Sequence, residues 1–167
     1  MFYNCINLDT ADDDNIKISG CKNIKTFAEM FYNCCSSKSG LGIKDFTIDA
    51  SAVEGQRWTS LEDLSGMFRS CTDLKKFTIT NGGNYFYSLK STSRMFEGCT
   101  AFDLSYFQVN ALPNFYTHNV TDMSMMFEHC SGNNKDINLS SLDISSVTNM
   151  YGMFEGLSNV NLLNLSS

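Results

Sequence analysis

The chain has 167 residues, 43% of them hydrophobic, which suffices for one continuous core and predicts a single domain over 1–167. Its net charge of −6 argues against nucleic acid, which wants a basic face, and disfavours docking on an anionic membrane. No apolar run approaches the roughly 18 residues that a membrane-spanning helix needs.

Met1-Phe2-Tyr3-Asn4-Cys5 opens a phrase that returns along the whole chain. It reads Met30-Phe31-Tyr32-Asn33-Cys34, Met67-Phe68-Arg69-Ser70-Cys71, Met95-Phe96-Glu97-Gly98-Cys99 and Met126-Phe127-Glu128-His129-Cys130. It closes as Met153-Phe154-Glu155-Gly156-Leu157. Successive Met positions differ by 29, 37, 28, 31 and 27 residues, a period that marks a solenoid or a repeat array. Each phrase has an apolar lead-in, such as Leu61 and Leu64 before Met67, or Val120 and Met123 before Met126. Apolar residues at i, i+3, i+6 and i+7 line one side of a helix. Each phrase is therefore expected to end a short helix. Thr59, Ser60, Asn119, Ser145 and Ser146 stand where an N-cap would help.

A second motif, apolar-x-apolar with a polar residue after it, follows each phrase. Its copies are Ile16–Ser19, Phe46–Asp49, Phe77–Thr80, Phe102–Ser105, Ile137–Ser140 and Leu163–Ser166. Period-two alternation predicts short strands with one buried face. Six such strands are expected to stack as one parallel sheet covered by the helices. The fold class that follows is an α/β repeat solenoid of the leucine-rich-repeat type, with one strand and one helix per coil and about five to six coils. A phrase at residue 1 and the lack of a polar cap lead us to expect a fragment or repeat unit of a longer surface protein.

The run from Asn138 through Ser140, Leu142, Ile144 and Val147 to Met150, continuing into Met153-Phe154-Glu155-Gly156, resembles the BspA-like leucine-rich repeat. The match is most specific from Val120 onward, and the frame covers nearly the whole chain. The resemblance implies a surface-exposed protein that binds host matrix, other cells or copies of itself.

Three insertions between strand and next phrase occupy the same place in the coil, so they are expected on one flank, where such insertions often bind. They carry Trp58, Tyr85, Phe86, Tyr87, Phe107, Phe115 and Tyr116. These aromatics have two readings: local cores beneath the insertions, or an exposed contact patch, since Tyr and Trp are favoured interface anchors. Phe31, Phe68, Phe96, Phe127 and Phe154 are expected to form a core ladder. Beside them Cys34, Cys71, Cys99 and Cys130 are read as buried free thiols. Helices pack about 8–10 Å apart, beyond the about 7 Å a disulfide allows.

The run Asp12-Asp13-Asp14-Asn15 lacks the order of a calcium loop and is read as solvated. His118 and His129 are the only histidines. On a helix His129 and Cys130 would point about 100° apart, too far for a nucleophile–base pair. No metal, cofactor or catalysis is expected. Asn119, Asn138 and Asn164 head possible glycosylation sequons. The leading expectation is a non-enzymatic extracellular or cell-surface module for adhesion, binding protein or glycan through the sheet face and flank. The rival is a structural subunit that self-assembles end to end into an extracellular fibre or layer, because open strand edges invite another coil.

Overall fold

The computed structural model describes residues 15–19, 23–34, 42–50, 58–81, 86–132 and 134–165. Strands β1 (Asn15–Ser19), β2 (Asp45–Asp49) and β3 (Lys76–Thr80) form a parallel sheet in that order. Strands β4 (Asp136–Asn138) and β5 (Leu162–Asn164) form a second parallel pair. Registers align like with like: Phe46 with Phe77, Ile48 with Ile79, Ile137 with Leu163. The aromatic and β-branched residues of the alternating motif fill the buried face, as a pleated half-buried surface favours.

The expected strand at Phe102–Ser105 is not one, and the six-stranded sheet is interrupted there. Phe102 instead takes the place held by Leu74 one coil earlier: each donates its amide to the cysteine carbonyl three residues back, Leu74 at 3.1 Å and Phe102 at 3.0 Å. Asp103 then caps helix α1 (Leu104–Asn110) by accepting the Tyr106 N–H at 2.8 Å. The helix sits between β3 and β4 and supplies by side chain what a strand supplies by backbone. Gln108 Nε2 donates to the Asp136 carbonyl at 3.5 Å, and Gln108 Oε1 accepts the Asn138 N–H at 2.6 Å. It thus brackets Ile137 as a parallel neighbour would. On the other side Asn114 Nδ2 donates to the Ile79 carbonyl at 2.8 Å.

The five Met-Phe phrases among the described residues are not helices either, and Met1–Cys5 lies outside them. Helix requires every residue in the right-handed region. Here the residue before Met is left-handed, at Glu29, Gly66, Arg94, Met125 and Gly152. So is the residue before Cys or Leu, at Asn33, Ser70, Gly98, His129 and Gly156. This alternation splits the amides into two sets. Met67, Arg69 and Cys71 donate three residues back, to Leu64, Gly66 and Phe68, at 2.9–3.2 Å. Leu64, Gly66, Phe68 and Ser70 donate across to Ser91, Ser93, Met95 and Glu97 of the next coil at 2.7–3.0 Å. The same ladder runs coil to coil through parallel bridges at Thr26, Asp63, Ser91, Asp122 and Asn149. Each of these five side chains also accepts the N–H two residues on, from Ala28, Ser65, Ser93, Ser124 and Tyr151. These are Asx and Ser/Thr turns, and they replace the expected N-caps.

Inside the stack, Phe31, Phe68, Phe96, Phe127 and Phe154 form the expected ladder. Successive rings lie 5.6, 5.8, 5.7 and 5.9 Å apart and nearly parallel. A second column, Phe46, Phe77 and Phe107, meets the first edge-on, with contacts such as Phe46–Phe68 at 4.7 Å. Phe107 comes from α1, so the helix keeps this column intact where the strand is missing. Such offset and edge contacts each add about 0.5–1.5 kcal/mol beyond burial.

Cys34, Cys71, Cys99 and Cys130 are buried thiols outside any disulfide. The helix spacing expected to separate them does not apply, because coils in a parallel ladder are about 4.8 Å apart. What holds the thiols of Cys71, Cys99 and Cys130 is a carbonyl of the coil before. Cys71 Sγ donates to Phe31 at 2.9 Å, Cys99 to Phe68 at 3.0 Å and Cys130 to Phe96 at 3.2 Å. Burial pushes the Cys99 and Cys130 thiols well up from their ordinary value.

Two outcomes follow. Phe96→Ala is expected to cost about 3–5 kcal/mol in urea unfolding, and Phe154→Ala, half-buried at the last coil, clearly less. A loss below about 1 kcal/mol at Phe96 would contradict the ladder. Thiol reagents should label Cys71, Cys99 and Cys130 slowly in the native protein and completely on unfolding, since thiolate formation and access are both suppressed. Rapid native labelling of Cys99 would contradict its hydrogen-bonded, buried state.

Candidate functional site

The insertions divide their aromatics between core and surface. Trp58, Phe86 and Phe107 are fully buried and Phe115 is 3% exposed. They run as one row beneath the flank: Trp58 to Phe86 at 6.2 Å, Phe86 to Phe115 at 6.1 Å, Phe115 to Phe107 at 6.3 Å. These four therefore leave the expected contact patch and belong to the core. The reason is geometric: each apolar ring lands over a coil whose interior it completes. Among the described residues the buried Trp58 Nε1 has no hydrogen-bond partner, a cost of about 1–3 kcal/mol accepted for the ring's burial. Tyr85 lies outside the described residues.

Tyr87 and Tyr116 reach the surface. Tyr87 is 47% exposed and Tyr116 half-buried, with their rings 6.4 Å apart and tilted by 61°. The His118 ring follows 5.9 Å from Tyr116. Backbone and side-chain bonds across three coils hold this strip. Asn119 Nδ2 donates to the Tyr87 carbonyl at 2.8 Å. Thr117, itself buried, donates its hydroxyl to the Asp143 carbonyl at 2.9 Å. His118 Nδ1 lies 2.8 Å from Asp143 Oδ2.

Asp143 is itself pinned. Its Oδ1 accepts the Ser145 hydroxyl at 2.6 Å and the Ser145 N–H at 3.0 Å. These two bonds, then the one to His118, push its carboxyl down from the ordinary 3.8 to about 2. The imidazole is thus oriented by an ionised carboxylate. Among the described residues no nucleophile is hydrogen-bonded to it. Sequence reasoning missed this pair, because Asp143 stood in no expected site. The signal was present: Asp143-x-Ser145 repeats the spacing of Asp63-x-Ser65 and Asp122-x-Ser124, each an Asx turn.

The outer face of β1–β3 is different in kind. Lys17 pairs with Asp49 at 2.8 Å and Lys76 with Asp45 at 3.3 Å. Lys76 also lies over the Tyr106 ring at 5.5 Å, and Tyr106 meets the Thr78 hydroxyl at 3.1 Å. Its charges are satisfied internally, and surface pairs of this kind contribute little to stability. A polar recess of about 330 Å³ opens elsewhere, lined by Gly132, Asn134, Lys135, Asn159 and Asn161.

Of the sequon residues, Asn138 is exposed, while Asn119 and Asn164 are half-buried. Asn164 Nδ2 donates to Asn138 Oδ1 at 3.3 Å, a side-chain ladder between neighbouring coils. Among the described residues no three His, Cys, Asp or Glu side chains gather as metal ligands, and no helix is long and apolar enough to cross a membrane.

A family model described as Mycoplasma protein of unknown function, DUF285, matches residues 1–114 and 90–167, which together span the chain. The chain belongs to the DUF285 family. The two matched spans of this DUF285 protein share residues 90–114, the stretch that holds α1 and separates the two sheets. Searches among curated proteins and among solved structures found no match.

Asp143, held chiefly by its two Ser145 bonds, sets a pH dependence. A folded value depressed to about 2 means that Asp143 contributes stability fully above its ordinary 3.8 and loses it as pH falls through about 2. Carboxyl-carbon NMR should give an Asp143 midpoint near 2, and Ser145→Ala should raise it toward 3.8. A wild-type midpoint at 3.8 would contradict the turn geometry.

Proposed function

We propose that this DUF285 protein is a BspA-like surface module: a leucine-rich-repeat-type solenoid, extracellular or on the cell surface, with tight turns in place of helices. Its role is non-enzymatic adhesion, binding protein or glycan through the flank. Coil-to-coil parallel ladders and an internally repeated Phe column support the solenoid reading. The observation that carries the binding reading is the Tyr87–Tyr116–His118 strip. The buried aromatics of the same insertions already complete the core, so folding does not need these rings at the surface. Tyr supplies large contact area with few rotatable bonds, and a carboxylate-oriented imidazole adds a directed polar contact. The outer sheet face, with its charges paired internally, is a weaker candidate.

The test uses immobilised collagen, laminin and an oligosaccharide array as probes. Wild type should bind at least one of them saturably. Tyr87→Ser with Tyr116→Ser should weaken that binding at least about tenfold, or about 1.4 kcal/mol, with the circular dichroism spectrum unchanged. Equal binding by the double variant, or no binding by wild type, would overturn the reading.

A further inference from the structure

Asn134 is 0% exposed, in a place that two earlier coils give to an apolar side chain. Leu74 and Phe102, equally buried, each donate a backbone amide to the cysteine carbonyl three residues back. In the coil of Cys130 a side chain makes that bond. Asn134 Nδ2 donates to the Cys130 carbonyl at 2.9 Å and to the Ser158 carbonyl at 3.4 Å. The cause is one added residue between phrase and strand. Cys130 and Ile137 are seven positions apart, whereas Cys71 and Phe77, and Leu157 and Leu163, are six. Gly132 takes up part of the excess against the coil before, where an added Cβ would run into the Phe102 carbonyl oxygen. On the opposite side the bulge leaves the polar recess of about 330 Å³, walled by Asn159 and Asn161 of the coil after. With Nδ2 held by two carbonyls, Asn134 Oδ1 is buried and has no hydrogen-bond partner. A buried acceptor in that state is destabilising and uncommon. Lys135, beside it, is exposed and pairs with no carboxylate among the described residues. Its carbonyl accepts the Asn161 and Leu162 amides at 2.7 and 3.2 Å, which ties the two walls together.

We propose that this recess binds one acidic sugar residue, a ring that carries a carboxylate as a hexuronic acid does. The lining sets the chemistry: three side-chain amides, one ammonium, no carboxylate, and no aromatic or aliphatic side chain. The sugar carboxylate meets Lys135 in a charge-assisted bond. Ring hydroxyls both donate and accept, so they match the Asn159 and Asn161 amides and supply the donor that Asn134 Oδ1 lacks. The volume lies at the small end of ligand sites and equals that of about ten waters, which is room for a single ring. A protein partner would centre its contact on an aromatic or apolar anchor, and no such pocket lines the recess. The site shares no residue with the Tyr87–Tyr116–His118 strip and does not rest on it.

Titration of the 167-residue chain with sodium glucuronate should shift the side-chain amide NMR signals of Asn134, Asn159 and Asn161 saturably. Glucose, which lacks the carboxylate, and acetate, which lacks the ring, should each bind at least about tenfold more weakly. Lys135→Ala, at an exposed position, should weaken glucuronate at least about tenfold. Asn134→Leu should abolish the shifts at Asn159 and Asn161 with the circular dichroism spectrum unchanged. Tyr87→Ser with Tyr116→Ser should bind glucuronate like wild type, which separates this inference from the binding reading. A hyaluronan oligosaccharide that binds more tightly than glucuronate would assign the acid to a polysaccharide, and one that binds more weakly would assign it to a free sugar. No saturable shift with glucuronate, equal binding of glucose or acetate, or equal binding by Lys135→Ala would overturn the proposal. The wild-type titrations need no substitution, so an Asn134→Leu variant that unfolds does not leave the question open.

Discussion

The structure depends on one backbone constraint: two left-handed residues in each of the five described phrases, four positions apart. Six of these positions outside Gly carry an ordinary side chain, from Glu29 to His129, each at a cost of about 1–2 kcal/mol. That cost is offset because the reversal of handedness turns alternate amides toward the neighbouring coil. Hydrogen bonding then runs along the stack instead of within a helix. The coil rise is that of a parallel ladder, about 4.8 Å. Everything else takes its spacing from that rise. Phe rings can stack face to face, and the Cys71, Cys99 and Cys130 thiols reach the Phe carbonyl of the coil before. Where a side chain would be in the way, the phrase uses Gly: at Gly156 an added Cβ would stand 2.8 Å from the His129 ring.

Much of this was legible in the chain. The Met-Phe phrase fixed the repeat, and the Phe ladder, buried thiols and five of the six strand motifs stand where the pattern puts them. The helices were misread for a specific reason. Apolar spacing at three and four residues is shared by a helix and by a pair of reversed tight turns, so periodicity alone does not separate them. The distinguishing sign was Gly66, Gly98, Gly152 and Gly156 at equivalent places, which a helix disfavours. The Phe102–Ser105 motif failed differently. Its apolar-x-apolar pattern is real, but Phe102 is spaced from Cys99 as Leu74 is from Cys71, and counting from the cysteine would have exposed the slip.

The flank shows why composition alone does not locate a contact surface. Seven aromatics in three insertions looked like one group. Burial separates Trp58, Phe86, Phe107 and Phe115 from Tyr87 and Tyr116, with the pure hydrocarbon rings and the indole inside and the phenols outside. A hydroxyl that keeps its water costs nothing to leave at the surface, whereas a Phe ring there forfeits its burial. The His118–Asp143 pair lies between neighbouring coils, 25 residues apart in sequence. No local motif reports such a pair; it becomes visible only once the coil period aligns Asp143 with the turn beside Thr117.

The helix between the two sheets has a mechanical meaning. Bonds between coils point along the stack, so tension along that axis loads each junction in series, and the weakest junction gives first. At two of the four described turn-ladder junctions the load is shared with a strand ladder, β2–β3 or β4–β5. Between α1 and β4 the strand share passes through one Gln108 side chain and its 2.6 and 3.5 Å bonds. A rotatable amide stretches and swings where a backbone ladder shears as a unit. The chain therefore carries a compliant link near its middle, where the array can flex under load while the coils on either side keep their packing.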